Sequence, residues 1–391
     1  MRSGHNPLRM RRTLLALVLL ALPVFAQQPE TVTIDSKVLG EKRNVLVRVP
    51  PTYRNGARAY PVLYLTDGES QFAHTVATAD FLVRNGRMPE VIVVGVPNTR
   101  RTRDLTPTRV AETPELAGLG ENGGGDRFLD FFEKELIPLV ESRYRTQPFR
   151  VFAGHSFGGL FALHALFTRP NLFNATIAVS PTLTWDNRHI ARLADRFFAD
   201  KIARRATTLV VTVGNEGEVS SQAWDDFKLL VGRRAPKNWE TQFTYFPDDD
   251  HGSVVLPSHF AGLKKVFAPW TFIADRQADP VRELARAKEQ FANLSTRLGT
   301  SVTVPEPTLN FLGYLLLQKN RTDDAIDVFR QAVALYPRSA NAHDSLGEAY
   351  EKAGNRLAAH ENYDRAVQLG TESGDPNLEI YRRNASRVAP R

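Results

Sequence analysis

The chain has 391 residues, 42% hydrophobic and 24% charged, with a formal net charge of +7. That is room for two domains, and the composition of a folded globular protein rather than a disordered one. It contains no cysteine, which excludes disulfides, thiolate nucleophiles and thiolate metal sites. Arg2, Arg9, Arg11 and Arg12 stand in the first 26 residues without an acid, and removing them from +7 leaves only +3 for the remainder. So modest a charge gives no support for nucleic-acid binding.

Arg9, Arg11 and Arg12 precede an apolar run from Leu14 to Phe25, and Val24-Phe25-Ala26 fits the site a signal peptidase reads. The pattern predicts a cleavable secretory signal over residues 1–26, and hence a periplasmic or secreted mature protein. The run is short for a membrane span and no later segment is apolar enough, so no stable membrane insertion is expected.

Over residues 27–275 strand and helix patterns alternate. Val45 to Val49 reads as a strand, and Pro61 to Leu65 as another, ending in Thr66-Asp67-Gly68. Val91 to Val96 is β-branched and nearly continuous, as a strand buried on both faces should be. Phe128 to Tyr144 carries Phe128, Phe131, Phe132, Leu136 and Leu139 on one side of a helix. Further strands are expected at Phe149 to Ala153, Ala175 to Val179, Thr207 to Val213 and Thr241 to Phe246, with a helix over Leu160 to Phe167. This alternation predicts an α/β fold, a mostly parallel sheet with helices on both faces.

Residues 276–305 read as a connecting helix and linker. Asp279-Pro280 opens an amphipathic helix with Val281, Leu284, Phe291, Leu294 and Leu298 as its stripe and Gly299 as its stop. Over residues 306–391 the sequence repeats with a period of 34. Leu312 matches Leu346, Gly313 matches Gly347, Leu316 matches Tyr350, Ala325 matches Ala359, Phe329 matches Tyr363, Ala332 matches Ala366, and Leu335 matches Leu369. Small residues mark close helix crossings and large ones fill the grooves, as in tetratricopeptide repeats. Two repeats bury little core alone, so the Val281 helix and the tail near Tyr381 are expected to cap the stack, or the stack to dock on the first region.

Chemistry concentrates in Gly154-His155-Ser156-Phe157-Gly158-Gly159, between a strand and a helix. That order describes a nucleophile elbow, with glycines where side chains would clash with the strand and helix. A serine nucleophile needs a base and a group to orient the base. His251, in the loop after the last strand, is the candidate base. Glu216 or Glu218, in the loop after Thr207 to Val213, is the candidate acid, with Glu216 favoured. The amide of Phe157 and one from Asp67-Gly68-Glu69, taken as Gly68, are the candidate oxyanion donors. His155 is expected to point elsewhere. The aspartates before His251 are expected to be solvated or to fix their loop. No ligand cluster for a metal is visible, and no cofactor is expected.

Val62-Leu63-Tyr64-Leu65-Thr66-Asp67-Gly68, the Gly154 to Gly159 elbow, Ser180-Pro181 with Trp185, and Asp250-His251-Gly252 together resemble the Putative esterase family of α/β hydrolases. That family includes S-formylglutathione hydrolase, feruloyl esterases, mycolyltransferases and enterochelin esterases. Asn98, Arg101, Arg103, Asp104, Thr106 and Pro107 resemble a loop of the enterochelin-esterase branch. Some exported members also carry C-terminal tetratricopeptide repeats. The resemblance implies an α/β-hydrolase fold, an acyl-enzyme on Ser156 and a small-molecule ester substrate. Arg101 and Arg103 would bind an acidic or catecholate group, or brace their loop. Trp185 would wall the pocket, or sit in the core. Resolution of the acyl-enzyme by water or by an acceptor alcohol is left open. So is a protein partner on the repeats, of which a scaffold with a vestigial hydrolase domain is the extreme case.

Overall fold

A computed structural model describes residues 28–388 except 56–57, 112–117 and 201–204. The expected signal, residues 1–26, lies outside the described residues. Eight strands form one sheet: β1 (Glu30–Ser36), β2 (Glu41–Arg48), β3 (Tyr60–Leu65), β4 (Ile92–Gly95), β5 (Thr146–His155), β6 (Ala175–Val179), β7 (Thr208–Val213) and β8 (Glu240–Tyr245). Their spatial order is β1-β2-β4-β3-β5-β6-β7-β8. β2 is antiparallel to both β1 and β4, and β3 to β8 run parallel.

β3, β4 and β6 are buried at every position, which explains why they read as continuous apolar runs. β1 was not expected from the sequence. It buries only Val32, Ile34 and Ser36, every second residue, and ETVTIDS has too few apolar residues to stand out. It survives by pairing with β2 from Glu30↔Val47 to Ser36↔Glu41.

The described residues also form fourteen α-helices: α1 (Gly68–Arg84), α2 (Arg101–Leu105), α3 (Gly125–Phe131), α4 (Ile137–Arg143), α5 (Phe157–Thr168), α6 (Trp185–Ala199), α7 (Glu218–Arg234), α8 (Val255–Val266), α9 (Pro280–Leu298), α10 (Glu306–Gln318), α11 (Thr322–Leu335), α12 (Ala340–Lys352), α13 (Arg356–Ser373) and α14 (Leu378–Val388). The helix expected over Phe128 to Tyr144 is α3 and α4 joined by a π-helical turn at Phe132–Leu136. Leu63, Val93, Ala153 and Ile177 face α1 and α8 on one side of the sheet. Tyr64, Val94 and Phe152 face α3 and α5 on the other, continued by Ala178 and Val211 against α6 and α7.

Beyond the sheet, α9 turns Leu284, Ala287, Phe291 and Leu294 inward. Asp279 accepts from Val281 and Arg282 at its N-terminus, and Gly299 ends it in the left-handed region. Val281, expected in the apolar stripe, is 40% exposed. The neighbouring buried position is Glu283, whose carboxylate accepts from the Asp275 amide and pairs with Arg286. In α10 to α13 the repeat has a steric basis. A Cβ on Gly313 would come within 2.5 Å of the Phe329 ring, and one on Gly347 within 2.7 Å of Tyr363. The last matched pair differs: Leu369 is buried with Tyr381 of α14, whereas Leu335 is 44% exposed.

Capping and docking both occur. One hydrophobic core runs from Leu63 and Ile177 through Val266, Phe267 and Trp270 to Phe291, Leu312, Phe329 and Leu346. The repeats complete their core on the α/β region. No helix among the described residues is long and apolar enough to cross a membrane.

Candidate active site

Ser156 follows β5 and precedes α5, with φ 60° and ψ −118°. A non-glycine residue held there costs about 1–3 kcal/mol and persists only where its surroundings enforce it. A Cβ on Gly154 would strike the Gly158 carbonyl, and one on Gly158 would strike the Thr66 hydroxyl. Strand, turn and helix therefore approach as closely as backbone permits. The Ser156 amide donates to Val179 O at 2.9 Å, which ties the turn to β6.

His251 lies in the loop after β8, and its Nδ1 is 3.0 Å from Glu216 Oε2. Glu216 is the partner because it sits in the loop after β7, the neighbouring parallel strand. Glu218 is exposed and opens α7 instead. Burial pushes the Glu216 carboxyl up, but hydrogen bonds from His251 and Ser180 and the His251 charge hold it below the usual range. The same hydrogen bond to Glu216, opposed by burial and reinforced by the carboxylate charge, raises the His251 imidazole above its ordinary value. The two loops lock together: Asn215 N donates to Asp249 O at 2.6 Å. Asp250 Oδ1 accepts from the Gly252 and Ser253 amides at 2.8 and 2.7 Å, and Asp249 accepts from the Ser253 hydroxyl. Two of the three aspartates thus fix the loop.

His155 does not point away from the site. Its ring lies 4.7 Å from that of His251, and its Nε2 donates to the His251 carbonyl at 2.7 Å.

The amide of Gly68 donates to Val96 O at 3.0 Å, so it is committed to the fold and does not fit the expected oxyanion donor. Among the described residues, the amides of Phe157 and Glu69 donate to no acceptor. These open α5 and α1, where unpaired N–H groups gather. Asp67, left-handed at φ 53°, is held by Arg101 Nε at 2.6 Å and by Asn98 Nδ2 at 2.7 Å. Arg101 also donates to His155 O at 3.3 Å and lies over the Phe157 ring. It braces the turn against the elbow. Arg103 is turned away, forked onto Glu41 and bonded to Asp104, so it does not line the site. Trp185 is 5% exposed, edge-on to Phe157, with its Nε1 on Thr108 Oγ1. It belongs to the core behind the wall.

A cavity of about 570 Å³ opens over Ser156, His251 and Glu216. Thr182, Leu183, Ala223 and Trp224 contribute to its walls. Trp224, on α7, had no distinguishing signal in the sequence, since only the packing of α7 beside β7 brings it to the mouth. Among the described residues no cluster of three or more histidines and acids could hold a metal ion.

A mostly parallel sheet carrying an elbow serine at the end of β5, with a histidine and a carboxylate from the loops after β8 and β7, defines the α/β-hydrolase class. The chain belongs to the Putative esterase family, whose model matches residues 36–247, and it is a carboxylic ester hydrolase. A tetratricopeptide-repeat model matches residues 313–354. The chain is 38% identical over 248 residues to the siderophore enterobactin esterase of Emericella nidulans, covering 51% of this chain and 80% of that one. It is 31% identical over 220 residues to the ferri-bacillibactin esterase BesA of Bacillus subtilis, covering 50% and 75% respectively. An IroE-like serine hydrolase of Shewanella oneidensis superposes with a TM-score of 0.68 at 30% identity, over 79% of this chain and 99% of that structure.

Proposed function

We propose that the chain is an exported serine esterase of the siderophore type, working through an acyl-enzyme on Ser156. The observation that carries this reading is the convergence of Ser156, His251 and Glu216 on one cavity, with His251 Nδ1 3.0 Å from Glu216. In the first step Ser156 Oγ attacks the ester carbonyl and its proton passes to His251 Nε2. Glu216 holds Nδ1–H and stabilises the imidazolium. The Phe157 and Glu69 amides take the oxyanion, each worth roughly 10²–10³ in rate. His251 then protonates the leaving alcohol, and water, activated by the same histidine, releases the acid. The siderophore class rests on the relatives named above. The repeats are proposed to offer a surface to a protein partner, as helical repeats do.

Hydrolysis of p-nitrophenyl acetate and butyrate by the chain lacking residues 1–26, beside Ser156→Ala, tests the mechanism. We expect the substitution to cost about 10⁴-fold or more, and full activity in the variant would sink it. A trilactone catecholate siderophore, cleaved faster than the simple esters, would support the substrate class. An N-terminus at Gln27 in protein recovered outside the cytoplasm would support export.

A further inference from the structure

We infer that His155, the residue before the nucleophile, is a positioning residue that ties the backbone of the base to the strand of the nucleophile. This rests on the reading of Ser156 and His251 as nucleophile and base. His251 is gripped twice. Glu216 holds its ring at Nδ1, 3.0 Å away, and His155 Nε2 holds its main-chain carbonyl at 2.7 Å. One contact orients the imidazole about its own bonds, and the other fixes the Cα from which it swings. Either alone would leave Nε2 free to drift relative to Ser156 Oγ.

The anchor is well referenced. His155 is the last residue of β5 and pairs in register with Val179 of β6, so its ring is carried by the sheet. Its own carbonyl accepts from Arg101, which also holds Asp67 at the oxyanion turn. Through one residue the elbow, the His251 loop and the turn after β3 share a common frame.

Chemistry fixes the form of the ring. A carbonyl oxygen can only accept, so Nε2 carries the proton. Burial, followed by the neighbouring His251, lowers the affinity of His155 for a second proton, against the opposite pull of its hydrogen bond to the His251 carbonyl and of Asp67. Arg101 also disfavours a charge there. The net effect favours the neutral Nε2–H form of His155 beside His251, whose ring is 4.7 Å away.

Glutamine can present an amide N–H close to where imidazole Nε2 lies, whereas leucine fills similar space without a donor. His155→Gln should keep kcat on p-nitrophenyl butyrate within about threefold of the parent. His155→Leu should lower kcat roughly 10- to 100-fold with KM within about twofold, because a displacement near 1 Å costs on that order. Equal losses in both variants, or full kcat in His155→Leu, would overturn the assignment. The unsubstituted protein supplies a second arm that does not depend on folding of the variants. Its imidazole ¹⁵N spectrum should show His155 as the neutral Nε2–H tautomer, and an Nδ1–H tautomer would also overturn it. If Ser156→Ala remained active, the esterase mechanism would fail by itself, while the tautomer would still report on the hydrogen bond.

Discussion

At the scale of single residues, the site turns on which acid meets His251. Glu216 and Glu218 are two positions apart, yet one ends in the cavity and the other on an exposed first helical turn. Glu216→Gln should lower kcat/KM by roughly 10²-fold or more, since the imidazolium loses its counter-charge. Glu218→Gln should stay within about twofold. The pH profile carries the sign. The base acts when neutral, so kcat/KM should rise with pH through an apparent pKa above 6.5, the value from which Glu216 raises His251. Without the carboxylate the favoured state shifts back toward neutral imidazole, and the midpoint should move to lower pH in Glu216→Gln. A midpoint that stays in place would dissociate Glu216 from the base.

Among the elements, the repeat helices depend on missing side chains. Phe329 packs where Gly313 leaves room, and Tyr363 does the same over Gly347. Gly313→Ala should destabilise by about 1–3 kcal/mol through overpacking, seen as a lower denaturation midpoint. Gly232 in α7 meets nothing within 4 Å and has no left-handed backbone. Gly232→Ala should stabilise by about 0.5–1 kcal/mol, because only the entropy term acts. Equal effects at the two sites would contradict the close-packing account. The same steric logic bears on the elbow: Gly154 is called for by a contact with Gly158 inside one strand–turn–helix, whereas Gly158 makes room for Thr66 and Gly159 for Val179 and Pro181.

For the whole molecule, the shared core decides how far the two regions can be separated. The site residues all precede residue 252, and deleting everything after Phe272 removes none of them. The deletion does strip α9 from the turn that holds Trp270, and with it the rest of the core shared with the repeats. The shortened chain should therefore yield little soluble protein and bind an apolar dye, even though its catalytic groups are intact. A soluble shortened chain with the parent's stability would show that the repeats add nothing to the core.

The sequence alone determined what short-range sterics and periodicity encode. It located the elbow serine, the histidine after the last strand, the buried parallel strands and the 34-residue repeat. Tertiary structure decided everything that needs two distant segments to meet. β1 became a strand only against β2. Arg101 proved to be bound to Asp67, and Arg103 to Glu41, rather than facing the cavity. The Gly68 amide went to Val96, Trp185 to the core and Trp224 to the cavity wall. His155 turned toward His251, 96 residues away. The reason is physical: a charge or a donor names no partner until the fold fixes which opposite group lies within about 3 Å.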